Sequence, residues 1–371
     1  MSDPLSKMPD GVRYYFGAEA RLRRAVEDAA MSVFAGWSYE EIATPALDYF
    51  ALFDRGMGHG EAQRAFRFTD TDGRLLALRP DVTSSVARAS ATLFATRPRP
   101  LRLCYAASVF RQRPRSHAEW RREWTQLGCE LIGAAGAAAD LETLLITVEV
   151  LEQLGLAGRF RITLNHVEIF NGLAAQLALD AAAREEMRRI IDTRDTDALD
   201  RFLAARAQSA QTNAAHHPLT RFTGQSDLIA AARQQLTDAR STSALDALAE
   251  VWRVLEALQL TDCFEIDLGD VSGLDYYTGL VYKIYVAGAG TRVGSGGRYD
   301  ELTANFGGRE PAVGFVLDLD ALTDVLARSH STLALNGQTQ PTIIDDDDTA
   351  ARFRTARLRR AEGERIDLRD E

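Results

Sequence analysis

Two polar residues stand four apart in the stretch Thr125-Gln126-Leu127-Gly128-Cys129-Glu130. On a strand the two-residue period puts the Gln126 amide and the Glu130 carboxylate on one face, where both can reach a single ligand. A carboxylate in that position suits an ammonium or an imidazole. Other reactive side chains support blander readings. Cys104, Cys129 and Cys263 form no CxxC pair and no close cluster with histidine, so they read as small buried hydrophobes rather than metal ligands or disulfides. His216-His217 precede Pro218 in a polar loop, and Ser84-Ser85 have no histidine nearby. Gly294-Ser295-Gly296-Gly297 does not open a helix, so close backbone approach at a turn is favoured over a phosphate cradle. Asp345 to Asp348 read as a solvated acidic loop, and Trp120-Arg121-Arg122 as a surface loop rather than an RNA-stacking site. No metal or cofactor is expected.

These residues need a fold to position them. The chain has 371 residues, 46% apolar and 26% charged, enough for one large domain and one or two small ones. Its net charge of −10 argues against a general nucleic-acid binder, which needs positive surface. No apolar run is long enough to span a bilayer, and MSDPLSKMPDGVRYYF does not read as a signal peptide, so a cytoplasmic protein with no membrane partner is expected.

Helical spacing of Leu22, Val26, Ala29, Ala30, Val33 and Phe34 predicts a helix over 18–35, followed by a strand toward Thr44-Pro45. Asp72-Gly73 marks the turn of a hairpin in RAFRFTDTDGRLLALRPDVT. LRLCYAASVF and TQLGCELIG read as strands flanking a charged loop. Asp140 is placed to cap the next helix, whose apolar face runs from Leu141 to Leu154 and which ends at Gly155. RFRITLNHV alternates as a half-buried strand. Residues 168–258 read as a helical insertion, after which CFEIDLGD, GLDYYTGLVYKIYVAG and TRVGSGGRYDELT return to strands. The expected fold is α+β: a mostly antiparallel sheet flanked by helices over 1–327, then a small truncated α/β tail over 332–371.

Four segments then fall in one order. They are Leu78-Arg79-Pro80-Asp81-Val82-Thr83; Val109-Phe110-Arg111 with Gln126-Leu127-Gly128-Cys129-Glu130; Ser272-Gly273-Leu274-Asp275-Tyr276-Tyr277-Thr278-Gly279; and Gly296-Gly297-Arg298-Tyr299-Asp300 with Pro311-Ala312-Val313-Gly314-Phe315. Over residues 8 to 327 this resembles the class II core of histidyl-tRNA synthetase. The resemblance implies a histidine-binding set of Asp81, Thr83, Gln126, Glu130, Tyr277 and Tyr299, and a motif 2 arginine at Arg111. Asp81 is one methylene shorter than the family's usual Glu.

The activation side departs from the family. An arginine is expected where Ser272 stands, a glycine where Asp318 stands, and a second arginine where Ala321 stands. Joining a carboxylate to ATP brings anions together, and removing one charge-stabilising donor costs about two or three orders of magnitude in rate. A kept amino-acid side with a damaged ATP side resembles the regulatory subunits of ATP phosphoribosyltransferase, a histidyl-tRNA-synthetase-like family. That resemblance implies a non-catalytic subunit in the first step of histidine biosynthesis. It also implies partnership with a short-form catalytic subunit, feedback inhibition by free histidine, and a homodimeric core within a hetero-oligomer. The rival readings are a working histidyl-tRNA synthetase and an aminoacyl ligase; both need the activation chemistry that Ser272, Asp318 and Ala321 put in doubt.

Overall fold

The computed structural model describes residues 6–113, 120–206, 223–271, 276–329, 341–345 and 348–368. The chain divides into two compact units, Met1–Ser329 and His330–Glu371. In the first, helix α1 (Gly17–Gly36) leads to β1 (Glu40–Glu41) and β2 (Leu47–Tyr49). Helix α2 (Phe50–Met57), β3 (Arg67–Thr69), β4 (Leu75–Leu78) and α3 (Thr83–Ala91) follow. The two long strands are β5 (Leu101–Phe110) and β6 (Glu123–Ile132), succeeded by α4 (Ala137–Gln153) and β7 (Phe160–His166).

The stretch read as a helical insertion carries α5 (Val167–Gln176), α6 (Ala181–Asp192), α7 (Thr196–Ala204), β8 (Thr223–Gly224), α8 (Ser226–Arg233) and α9 (Ala239–Ala257). It is not wholly helical: β8 pairs antiparallel with β9 (Phe264–Asp267) and so forms an edge of the main sheet. The remaining strands are β10 (Leu280–Val286), β11 (Gly294–Arg298) and β12 (Ala312–Asp318), then α10 (Leu319–Arg328).

Nine strands join in the order β1-β5-β6-β12-β11-β10-β7-β9-β8. Its pairs are antiparallel except β1 with β5 and β7 with β9. The expected hairpin forms as well: β3 and β4 pair through Asp72-Gly73, with Gly73 at φ +84, and β2 completes a separate three-stranded sheet. Helix α1 packs on one face of the large sheet, where Phe34 meets Phe315 edge-on at 5.9 Å. The opposite face carries α3 and an apolar cluster of Val82, Val86, Leu103, Tyr105, Ala107 and Val109.

Several local expectations change. Asp140 does not cap α4; Gly136 holds that position. The Asp140 carboxylate instead accepts from Arg298 Nη2 at 2.7 Å and Nε at 3.0 Å. A buried guanidinium needs a counter-charge more than a helix start needs its optional side-chain cap. Gly155, as expected, ends the helix at φ +74. The glycines at 294–297 lie on central strand β11, not at a turn, because neighbouring side chains cross directly over them.

In the second unit, β13 (Thr342–Ile344) pairs parallel with β14 (Ile366–Leu368) across α11 (Thr349–Ala361). Asp348, read as part of a solvated loop, accepts from Ala350 N at 2.9 Å as the cap of α11. His216-His217 and Ser272 lie outside the described residues.

Candidate functional site

Strand register brings the expected residues together. Glu130 on β6 lies opposite Leu103 of β5 on one side and Gly314 of β12 on the other. Gln126 and Glu130 share a face, as their spacing requires. Glu130 is 1% exposed and collects three hydroxyls. Thr83 Oγ1, from the start of α3, donates to its Oε1 at 2.7 Å; Tyr105 Oη donates to the same oxygen at 3.0 Å. Tyr299, just past β11, donates to Oε2. Burial pushes the Glu130 carboxyl up to about 7; the hydroxyls of Tyr299, Thr83 and Tyr105 pull against that, and the Asp81 charge adds to it.

Asp81 sits beside it, 3% exposed. Its Oδ2 lies 3.5 Å from Gln126 Nε2, and its buried Oδ1 has no partner among the described residues. Burial raises the Asp81 carboxyl, opposed first by the Arg111 charge. Tyr277 stacks tilted on Tyr276 at 4.8 Å, and Tyr276 stands edge-on to Tyr299 at 5.7 Å. All six residues expected to bind histidine, and Arg111, line one cavity. It leaves about 50 Å³ open to the centres of water molecules. One water needs about 10–15 Å³ on that measure. The space therefore has room for a few water molecules.

Glycines make room for the side chains around it, and Gly314 lines it directly. A Cβ at Gly314 would meet the Glu130 carboxylate, one at Gly297 would lie 2.9 Å from the Tyr277 ring, and one at Gly128 would lie 2.5 Å from the Tyr105 ring. Sequence reasoning missed Tyr105, Tyr276 and Ser295 here. The pairing of Tyr105 with Gly128 was the available signal, since a large ring crosses a strand most easily over a residue with no side chain.

A second cavity adjoins, about 100 Å³ by the same measure, and shares Arg111, Gln126, Ser295 and Val316 with the first. Arg64, Arg121, Arg292 and Asp318 also line it. Three arginines outside the family positions thus reach this cavity. They are engaged locally. Arg64 pairs with Glu61 at 2.8 Å, and Arg121 pairs with Asp324. Arg121 and Arg122 are therefore not a free surface loop; Arg122 lies over the Phe66 ring at 4.6 Å, and only Trp120 of that trio is well exposed. Asp318 caps α10, accepting from Ala321 N at 2.8 Å, so the two altered positions meet in one bond. Burial pushes its carboxyl up to about 6. Cys104 and Cys129 are buried and unbridged, and Cys263 is half-buried. Among the described residues no three His, Cys, Asp or Glu side chains could hold a metal, and no helix is long and apolar enough to cross a membrane.

Comparison with known proteins gives this arrangement its lineage. The family profile of histidyl-tRNA synthetase matches residues 11–322. A relative from Moorella thermoacetica, an ATP phosphoribosyltransferase regulatory subunit, is 36% identical over 98% of this chain and 92% of its own. A regulatory subunit from Desulfitobacterium hafniense is 31% identical over 98% and 91%. The chain belongs to the family of ATP phosphoribosyltransferase regulatory subunits. Among solved structures, an ATP phosphoribosyltransferase regulatory subunit/histidyl-tRNA synthetase from Bacillus halodurans superposes at TM-score 0.85. It is 28% identical and covers 100% of this chain and 94% of that one. Histidyl-tRNA synthetase from Nostoc shares the fold, at TM-score 0.77 and 21% identity, over 98% and 86%. The family's members thus share a synthetase-type core, as the four ordered segments implied.

Proposed function

We propose that the chain is the non-catalytic regulatory subunit of an ATP phosphoribosyltransferase, serves the first step of histidine biosynthesis, and senses free histidine in the Asp81–Glu130 pocket. One observation carries the pocket reading: two buried carboxylates, Glu130 held by three hydroxyls and Asp81 with an oxygen unmet by protein, face one small cavity. A ligand with an ammonium at one end and an imidazole at the other offers donors to both. The regulatory part rests on the relatives' shared name across nearly the whole chain. The partner is a short-form catalytic subunit, and the synthetase-like core forms a homodimer inside the hetero-oligomer. Feedback follows where histidine binds one state of the complex more tightly than another.

The test is to mix this chain with the short-form catalytic subunit and measure phosphoribosyl transfer with and without histidine. The expected result is a rise in rate on mixing and a loss of that rate with histidine. Two separate peaks in size-exclusion chromatography with no change in rate would overturn the regulatory reading.

A further inference from the structure

Tyr105 is 0% exposed and sits within the apolar cluster under α3. A phenol there must find a partner for its hydroxyl, whereas phenylalanine would fill the same volume with no polar group to satisfy. Directly across the β5–β6 register stands Gly128, a residue that weakens a strand interior. The two unfavourable choices explain each other. Without a Cβ at 128, the Tyr105 ring passes over β6, with its Cζ and Oη 2.5 and 2.6 Å from where that Cβ would be. The hydroxyl then reaches Glu130 Oε1, two residues along the same face. Gly314 clears the far side, where the carboxylate itself lies over the neighbouring strand.

We infer that Tyr105 is a positioning residue for the pocket: carried across the sheet over Gly128, its hydroxyl orients the Glu130 carboxylate and favours its ionised form, ready to receive a ligand's imidazole. This rests on the histidine-pocket reading above. Each element around Glu130 contributes. Thr83 faces it from α3, with Asp81 just before that helix supplying the nearby negative charge; Tyr299 faces it beyond β11, and Tyr276 and Tyr277 from the adjoining loop. Arg111 is the lining cation, and its charge acts on Asp81. Removing one hydroxyl donor from an ionised carboxylate favours its neutral form, so the Glu130 carboxyl should titrate higher still.

The experiment compares Tyr105→Phe with wild type. Tyr282→Phe serves as control: Tyr282 is equally buried and crosses Gly296 in the same way, but on the other face of the sheet. The first arm titrates Glu130 by 13C-carboxyl NMR in the protein without ligand, assigned with Glu130→Gln. The expected midpoint rises in Tyr105→Phe and stays in Tyr282→Phe; an unchanged midpoint in Tyr105→Phe overturns the inference. The second arm measures histidine affinity by calorimetry across pH. Tyr105→Phe should bind about tenfold more weakly at neutral pH, the worth of a hydrogen bond to a charged group. That deficit should narrow as pH rises and the variant's Glu130 ionises. Taking the ratio to wild type at each pH cancels the ligand's own titration. A deficit constant across pH, matched by Tyr282→Phe, would make Tyr105 core packing only. Gly128→Ala displaces the ring instead of deleting the hydroxyl and should shift the midpoint in the same direction. Should wild type bind no histidine, the pocket reading falls, while the titration still decides the role of Tyr105.

Discussion

Two cavities meet across Arg111 and Gln126, and they are held together differently. In the first, the groups around the space fix one another: Thr83, Tyr105 and Tyr299 converge on Glu130, beside glycines on adjacent strands. In the second, two of the four lining arginines are paired with carboxylates, Arg64 with Glu61 and Arg121 with Asp324, and the wall includes the acid Asp318. The contrast teaches that positive charge near a cavity is not the same as preorganised charge. A transition state between anions needs donors fixed in place for it, and cations already neutralised by their neighbours give less.

The largest effect expected from this contrast is on amino-acid activation. Without the two arginines that the resemblance expects at positions 272 and 321, the rate should fall by about 10⁴- to 10⁶-fold, if each contributes two to three orders of magnitude. The purified chain should therefore show no histidine-dependent exchange of pyrophosphate into ATP and no charging of tRNA. Exchange at rates typical of a synthetase would mean that Arg64, Arg121 and Arg292 replace the missing groups, and would break both the contrast and the regulatory proposal.

Next comes the ligand side. Glu130→Gln keeps the shape and removes the charge, so histidine binding should weaken by roughly 1.5–3 kcal/mol, or tenfold and more. The complex should assemble and remain active while needing correspondingly more histidine for inhibition. Inhibition curves for mutant and wild-type complexes check this. Unchanged sensitivity in Glu130→Gln and in Tyr277→Phe would move the effector site elsewhere and leave the first cavity an inherited core.

The same residue should also sign itself in the pH dependence of stability. The Glu130 carboxyl is raised in the folded state from 4.5 to about 7. A raised carboxyl means the folded chain holds its proton longer than the unfolded chain. Its contribution is therefore fully present below pH 4.5 and is lost as pH rises through 7. The loss is on the order of 3 kcal/mol, since one pKa step is worth about 1.4 kcal/mol. Denaturation of wild type and Glu130→Gln from pH 4.5 to 8 should show the wild type losing ground steadily to the variant. Parallel curves would mean that Glu130 is solvated enough to titrate normally, and the pocket would lose its closed character.

Much of this was legible in residue order. The spacing of Gln126 and Glu130 placed both on one face, and the four ordered segments led to the core and to every residue lining the first cavity except Ser295 and Val316, though not to Tyr105 behind Glu130. Tyr105 lies on a neighbouring strand, and only the cross-strand register puts it beside Glu130. The second cavity was less legible for the same reason: Arg64 precedes β3 and Arg292 precedes β11, and nothing local says that they share a wall. Asp140 was misread because a side chain can either cap a helix or answer a distant arginine, and sequence offers only the nearer option. Asp318 stands out in the sequence only as a departure from an expected glycine; its bond to Ala321 N shows a local role as a helix cap.

That bond yields the smallest and most discriminating effect. A side-chain cap is worth about 0.5–2 kcal/mol, so Asp318→Ala should lower stability by about 1 kcal/mol in chemical denaturation near pH 4, where burial keeps the carboxyl neutral. The buried carboxylate is itself under tension: its carboxyl is pushed up to about 6, so at neutral pH it stays ionised against the cost of burial. Asp318→Asn keeps an oxygen for the Ala321 N–H and removes that charge. The wild type's contribution from this group is present at low pH and is lost as pH rises through about 6. Asparagine should therefore match aspartate or fall slightly below it near pH 4, and become the more stable residue above pH 6. Alanine should stay below asparagine throughout. Neither change should alter histidine affinity, because Asp318 lines only the second cavity. A shift in histidine binding in Asp318→Asn without a change in stability would mean that charge in the second cavity is felt in the first, and that the two cavities act as one site.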